Sequence, residues 1–327
     1  MDIFIQIASY CDPELIHTIR DCITNADQPE NLKFCIGWQK KEDDDSINEY
    51  LNDPRFIILV VPYNNTKGCC WIRHKIQQFY NGEKYTLQLD SHHRFIKGWD
   101  TVLIDMFESL QQTYKKPMIT AYLPSYNPEN DPSERVLVPW KINYDKTLDG
   151  QILCIPSTME AIEPLPAQFY SGHFTFTLGI FCLEVQHDPI LYFTGEEMNI
   201  TIRSFTHGYD MFHPHIVIAW HEYTRKHRTK HWDDDKDWWK KNLISTNHYK
   251  KFIENICTPS VEWGIGERSI SEYVNFHLVN QNLKELDESW QNWVEENIAL
   301  GVNKKDIDNT LLKAGFRPTL SSKSEFF

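Results

Sequence analysis

Alternation of apolar and polar positions opens the chain. The stretch "DIFIQIASY" places β-branched and aromatic residues at every second position and predicts a first strand. Asp12-Pro13 then introduces "PELIHTIRDCITNA", whose apolar residues recur at helical spacing, with proline at the favoured first helical position. "LKFCIGWQ" predicts a second strand. The continuous apolar run "RFIILVVPYN" predicts a third, covered on both faces. A helix over "KGCCWIRHKIQQFYNG" and a strand over "EKYTLQLDSH" follow. Strands alternating with helices imply an α/β fold with a mostly parallel, Rossmann-like sheet. In such sheets ligands collect beyond the carboxyl ends of the strands. Further on, "ITAYLPSYNPENDPSERVLVP" has the Pro, Asn and Ser content of a loop, and "HFTFTLGIFCLEV" reads as strand. "TGEEMNITIRSF" reads as a turn entering a helix and "HIVIAWHEY" as a short apolar strand. From Ser271 the pattern is helical, and no internal repeat is found.

Composition narrows the class. The chain has 327 residues, 41% of them hydrophobic, enough for two ordinary domains or one elaborated α/β domain. A formal charge of -13 excludes a broad nucleic-acid surface, which needs clustered Lys and Arg. An anionic ligand would therefore meet positive charge only locally, from single arginines, helix N-termini or a metal. The eight cysteines form no CxxC pair, so neither a disulfide framework nor a zinc knuckle is expected. No window approaches a membrane span, and the first residues lack a basic region followed by a long apolar one. Work in a reducing compartment, the cytoplasm, is the expectation.

Candidate chemistry starts at "LQLDSHHRF". In extended chain, residues i and i+2 share a face. Asp90 and His92 then converge while Ser91 turns away, so one strand end offers a carboxylate and an imidazole to a metal ion. A third ligand could come from the histidine-rich stretch between His207 and His231. His221, at the end of the run "IVIAW", is the best placed. Gly195-Glu196-Glu197 puts two carboxylates at a helix start, where they complement the dipole or bind and catalyse. Arg73 and Arg203 lie on predicted helices. The acidic run Asp233-Asp234-Asp235 reads as a solvated helix start beside core aromatics Trp238 and Trp239. HExxH, a phosphate loop, a full dinucleotide fingerprint and a nucleophile elbow are all missing.

Taken in order, the motifs "ASYCDPEL", "KGCCWIR", "LQLDSHHRFIKGWD", "LPSYNP", "TGEEMNITIRSFTHGYD", "WHEYTR" and "WGIGERSISEY" give a closer indication. Together they resemble the metal-dependent polypeptide N-acetylglucosaminyltransferases that modify hydroxyproline on a cytosolic ubiquitin-ligase adaptor. A looser similarity extends to the mucin-type polypeptide GalNAc transferases, which share the Asp-x-His motif. The resemblance runs from about Ile3 to about Tyr273. It implies a GT-A fold (the nucleotide-diphospho-sugar transferase fold) over residues 1–280, with residues 281–327 as a helical extension of unassigned role.

The same resemblance implies roles. Asp90, His92 and His221 would ligate Mn²⁺, or Mg²⁺. Ser9, Tyr10, Asp12 and Arg73 would bind the UDP-sugar donor together with Asp90, Ser91 and Arg203. Glu196 and Glu197 would be the sugar-binding and catalytic acids. Two departures stand out: Cys11 where an arginine usually follows Ser-Tyr, and Cys69-Cys70 where Gly-Pro is usual. The implied activity is retaining transfer of GlcNAc to a hydroxyl acceptor on a protein or glycan. Three alternatives stay open: a UDP-glucose- or UDP-galactose-using transferase that extends a glycan, a catalytically weak scaffold that keeps the fold, and a histidine-rich metallohydrolase. Acceptor residues are expected on loops such as Leu123–Pro132, and homodimerisation through the C-terminal segment is left open.

Overall fold

The computed structural model describes residues 2–148, 151–226 and 228–254. The motif "WGIGERSISEY", the helical reading from Ser271 and the extension from residue 281 lie outside them. The first four strands are β1 (Ile3–Tyr10), β2 (Leu32–Lys40), β3 (Phe56–Pro62) and β4 (Tyr85–Asp90). Helices α1 (Leu15–Asn25) and α2 (Cys69–Gln77) connect them. Next come β5 (His93–Phe95), α3 (Trp99–Gln111), β6 (Pro117–Thr120) and a hairpin of β7 (Trp140–Leu148) with β8 (Gln151–Thr158). The remaining elements are β9 (Leu165–Pro166), β10 (Phe174–Leu178), α4 (Phe181–Glu184), α5 (Glu196–Thr206), β11 (Asp210–His213), β12 (Ala219–His221), α6 (His231–Asp234) and α7 (Trp238–Glu254).

The main sheet runs β3-β2-β1-β4-β10-β6-β11-β9. Strands β3, β2, β1 and β4 are mutually parallel, and β10 enters antiparallel between β4 and β6. From β1 the chain goes to β2 on one side and later to β4 on the other, so the gap between the ends of β1 and β4 is a topological switch point. Register sets Ala8 of β1 beside Asp90 of β4. The Ser9–Asp12 and Asp90–His92 stretches therefore leave the sheet side by side.

One core is built from the inward faces of β1, β2 and β4 with α1 and α3: Ile5, Ile7, Ile19, Phe34, Leu87, Trp99 and Phe107 are fully buried there. Helix α2 lies on the opposite face, where Ile72 and Ile76 pack on Phe4 and Cys35. Its seat depends on Gly37. A Cβ at that position would stand 2.2 Å from Ile72 Cγ1, so β2 and α2 could not approach as they do. Gly37→Ala is expected to cost about 1–3 kcal/mol. In urea it should lower the midpoint and leave the m-value unchanged.

Several expectations need correction. β3 is the edge strand, paired only with β2; Val60 is 53% exposed, so the strand is not covered on both faces. The strand expected over 173–185 stops at Leu178, and Phe181–Glu184 is helical. Helix α1 begins after Pro13, whose turn is held by Asp12 Oδ1 accepting from the Glu14 N–H at 3.0 Å. Trp238 and Trp239 are not core residues, with Trp239 53% exposed. The neighbouring acids are not simply solvated either: Asp234 accepts from the Tyr10 hydroxyl at 3.0 Å, and Asp235 pairs with Lys241 at 2.6 Å. Among the described residues no helix is long and apolar enough to cross a membrane.

Candidate active site

Two local pairings assemble the site. The chain leaves β4 at Asp90, bends through Ser91 and His92, and enters β5. Strand β12 then pairs antiparallel with β5, setting His221 opposite His93. Backbone bonds lock this arrangement: the His221 N–H donates to Pro124 O (3.0 Å) and the Glu222 N–H to His92 O (3.2 Å). In this way His221 reaches Asp90 from a distant part of the sequence. Its Nε2 is 3.5 Å from Asp90 Oδ2, and His92 Nε2 is 3.7 Å from the same oxygen. One ligand atom from each of the three side chains lies within 4.8 Å of the others.

The residues present fit a divalent ion. Ligand atoms around such an ion sit about 3 to 3.5 Å apart, close to the spacing found. His221 is buried, and neither of its ring nitrogens has a hydrogen-bond partner. Burial holds its imidazole neutral, well below the ordinary pKa, which leaves a lone pair available. His92 Nδ1 is 2.8 Å from Asp12 Oδ2. A ring hydrogen-bonded through one nitrogen to a carboxylate presents the other as a ligand. Asp12 also accepts from the Ser91 hydroxyl at 2.7 Å. Burial opposes charge on Asp12, but His92, Arg228 and Ser91 outweigh it and keep the carboxyl below its ordinary range. For Asp90 too, burial is overcome by His221, Arg73 and His92, and the carboxyl is held well down.

Arg73, 3% exposed on α2, spans two carboxylates. Its Nη2 donates to Asp90 Oδ1 at 2.6 Å, and its Nη1 donates to Glu196 Oε1 at the start of α5. Glu197 accepts from the Gly172 N–H (2.9 Å) and from the Tyr122 hydroxyl (2.7 Å). Burial pushes the Glu197 carboxyl up to about 7, against these two donors and aided by neighbouring Glu196. Above the metal-capable triad opens a solvent-facing cleft lined by Tyr10, Asp12, Cys69, Asp90, Ser91, His92 and His221, together with Arg225, Arg228 and Trp232.

A family profile described as "Glycosyltransferase (GlcNAc)" matches residues 2–55 and 46–294. The chain belongs to this glycosyltransferase family. No curated protein sequence matches it at a significant level. Among solved structures, GalNAc-T7 with UDP, GalNAc and Mn²⁺ aligns with a TM-score of 0.55 at 14% identity, over 85% of this chain and 54% of that one. This chain therefore spans about half the length of the GalNAc-T7 chain. S. aureus TarS 1-349 in complex with UDP-GlcNAc aligns with a TM-score of 0.47 at 11% identity, over 94% of this chain and 83% of that one. The fold is GT-A.

The structure brings Asp90, Ser91, His92, His221, Tyr10 and Asp12 to the cleft and sets Arg73 and Glu196 directly behind Asp90. Ser9 is 1% exposed, and its carbonyl accepts from Gln39 Nε2 at 3.0 Å. Arg203 is not brought to the cleft. It is 2% exposed at the far end of α5 and donates to Gln186 O (2.6 Å) and Asn199 Oδ1 (3.3 Å). Sequence reasoning missed Arg228, whose Nη1 lies 2.6 and 2.7 Å from the His92 ring nitrogens and 3.4 Å from Asp12 Oδ2. The signal was available: "TRKHRTKH" is a basic run in an acidic chain, directly after the third histidine.

Proposed function

We propose that this transferase moves a sugar, GlcNAc by preference, from a UDP-sugar to a hydroxyl on a protein, hydroxyproline included, with retention of configuration and dependence on a divalent metal. The observation that carries the reading is the meeting of Asp90, His92 and His221 at the switch point of a chain in the GlcNAc glycosyltransferase family. The structural neighbour solved with UDP, GalNAc and Mn²⁺ supports the donor class.

Transfer breaks the bond between the anomeric carbon and the β-phosphate, and the barrier is negative charge building on the departing diphosphate. A divalent ion on Asp90, His92 and His221 would supply Lewis-acid stabilisation of that charge. The mixed oxygen and nitrogen ligands favour Mn²⁺ over Mg²⁺. Arg228, against His92 and Asp12, and Arg225 add cationic side chains to the cleft. Arg73 fixes the Asp90 carboxylate in place from behind. In this reading neither glutamate is a covalent nucleophile. Glu196 is engaged by Arg73, and Glu197 by Gly172 and Tyr122. The acceptor attacks from the face the diphosphate leaves, and a phosphate oxygen takes its proton. Glu197 accepts hydrogen bonds from the sugar hydroxyls.

The test is a panel of UDP-sugars assayed for UDP release with and without Mn²⁺, followed by hydroxyproline peptides with the preferred donor. Metal-dependent release from UDP-GlcNAc, with the α anomer transferred to peptide, supports the reading. Absence of release from every donor in the presence of Mn²⁺ sinks it.

The carboxyl of Glu197 gives a pH prediction. Gripping a sugar hydroxyl calls for the ionised form, so kcat/KM should fall as pH drops through about 7. In Glu197→Gln the rate should be lower overall and that limb should disappear. Stability moves the other way. The folded carboxyl titrates near 7 against an ordinary value of 4.5, so the native state binds more protons than the unfolded one between those values. The contribution of Glu197 to stability is full below pH 4.5 and is lost as pH rises through 7.

A further inference from the structure

Behind the Arg73–Glu196 pair lies a second group of ligand-type side chains, away from the cleft. Cys70 of α2, His187 after α4, and Glu196 at the start of α5 are all buried, and one ligand atom from each lies within 4.8 Å of the others. The imidazole is oriented by a defined chain of hydrogen bonds. The Gln88 amide nitrogen donates to Gly172 O at 2.7 Å, which turns its oxygen toward His187 Nε2 at 2.6 Å. Nε2 must then carry the proton, so Nδ1 is a bare lone pair. It is fully buried without a hydrogen-bond partner, 3.4 Å from Glu196 Oε1. A lone pair facing a carboxylate oxygen in a dry interior is repulsive unless a cation joins them. The arrangement also has the form seen around bound metals, in which the ligating histidine donates its other N–H to an outer oxygen.

We propose that Cys70 Sγ, His187 Nδ1 and Glu196 form a second metal site, selective for a borderline-soft divalent ion of the zinc class. Sulfur and imidazole ligands set that preference, in contrast to the oxygen-rich triad at the cleft. Coordination replaces the Cys70 S–H bond with a sulfur–metal bond and releases one proton to solvent. Charge then balances locally: the ion and Arg73 stand against Cys70, Glu196 and Asp90. Ligands at tetrahedral sites sit about 3.3–3.8 Å apart, so only small side-chain shifts close the set. The ion ties the first turn of α2 to the start of α5, the two elements whose contact carries Arg73 to Glu196.

The experiment adds Co²⁺ alone to the metal-free full chain and follows the thiolate-to-cobalt charge-transfer band. A band at one equivalent per chain is expected. It should be lost in Cys70→Ser and in His187→Gln, and retained in Cys69→Ser and His221→Ala. Zn²⁺ should raise the melting temperature of the parent and of Cys69→Ser by more than that of Cys70→Ser, in which only the cleft triad can bind it. No band in the parent, or a band that survives Cys70→Ser, overturns the proposal. The readout is independent of turnover: loss of sugar transfer in His221→Ala with the band intact, or the reverse, separates failure of this site from failure of the proposed function.

Discussion

His221→Ala is expected to lower metal-dependent UDP release by about a thousandfold while the chain stays folded. Lewis-acid stabilisation of a leaving diphosphate contributes several kcal/mol, and each 1.36 kcal/mol is a factor of ten in rate. Loss of roughly 4 kcal/mol therefore gives the stated effect. The backbone of residue 221, not its ring, holds β12 in place, through bonds to Pro124 and from the Tyr126 N–H, and alanine keeps both. Besides a ligand, the substitution removes ring packing on His173, with centroids 4.2 Å apart, and on Tyr223, at 4.3 Å, as well as on His92 and His93. That loss is a packing cost, readable as a modest fall in melting temperature. Chelation of the parent should reproduce the rate loss, and Mn²⁺ should restore it more fully than Mg²⁺. Turnover of the alanine variant within tenfold of the parent, with normal circular dichroism, would show that residue 221 is no ligand.

All three members of this triad were named from the sequence, but not on equal grounds. Asp90 and His92 were read from their i, i+2 spacing in extended chain at a strand end that the topology places at the switch point. The strand in fact stops at Asp90 and the chain bends at Ser91, whose hydroxyl does not turn away but reaches the same Asp12 oxygen as His92, so the two ligands meet across a bend. From the residue pattern alone His221 was only a histidine ending an apolar run, and the family resemblance of "WHEYTR" singled it out as the third ligand. Its approach to Asp90 depends on the short β5–β12 pairing, three residues long, which no local pattern announces. Arg73 illustrates the same limit. Its helix was evident from periodicity, but its span from Asp90 to Glu196 requires α2 to meet both the end of β4 and the start of α5, a product of long-range packing. The hairpin of β7 and β8 was missed although "WKINYDK" alternates and Asp149-Gly150 is a strong turn signal. For β3 the error ran the other way, because an apolar run reports hydrophobicity and not the presence of a neighbour on each side.

Arg73→Met should give the largest stability loss of any single substitution at the site. The guanidinium is 3% exposed and pairs with two carboxylates, one of them Glu196 with a side chain only 8% exposed. Removing one partner of a buried pair costs about 3–5 kcal/mol, because the remaining charges are left unpaired in low dielectric. Here the penalty is compounded, since Asp90 and Glu196 would also lose the cation between them. For a chain of this size the fall in melting temperature should be about 5–15 °C. The second substitution tests the cause. In Arg73→Met/Glu196→Gln one of the stranded charges is gone, and part of the stability should return, a coupling that a double-mutant cycle measures directly. Turnover should not return with it, because Asp90 would still lack the donor that fixes its carboxylate. A single variant that melts within about 1 °C of the parent would remove Arg73 from its place between the two acids. A double variant that regained stability and UDP release together would limit Arg73 to holding the fold.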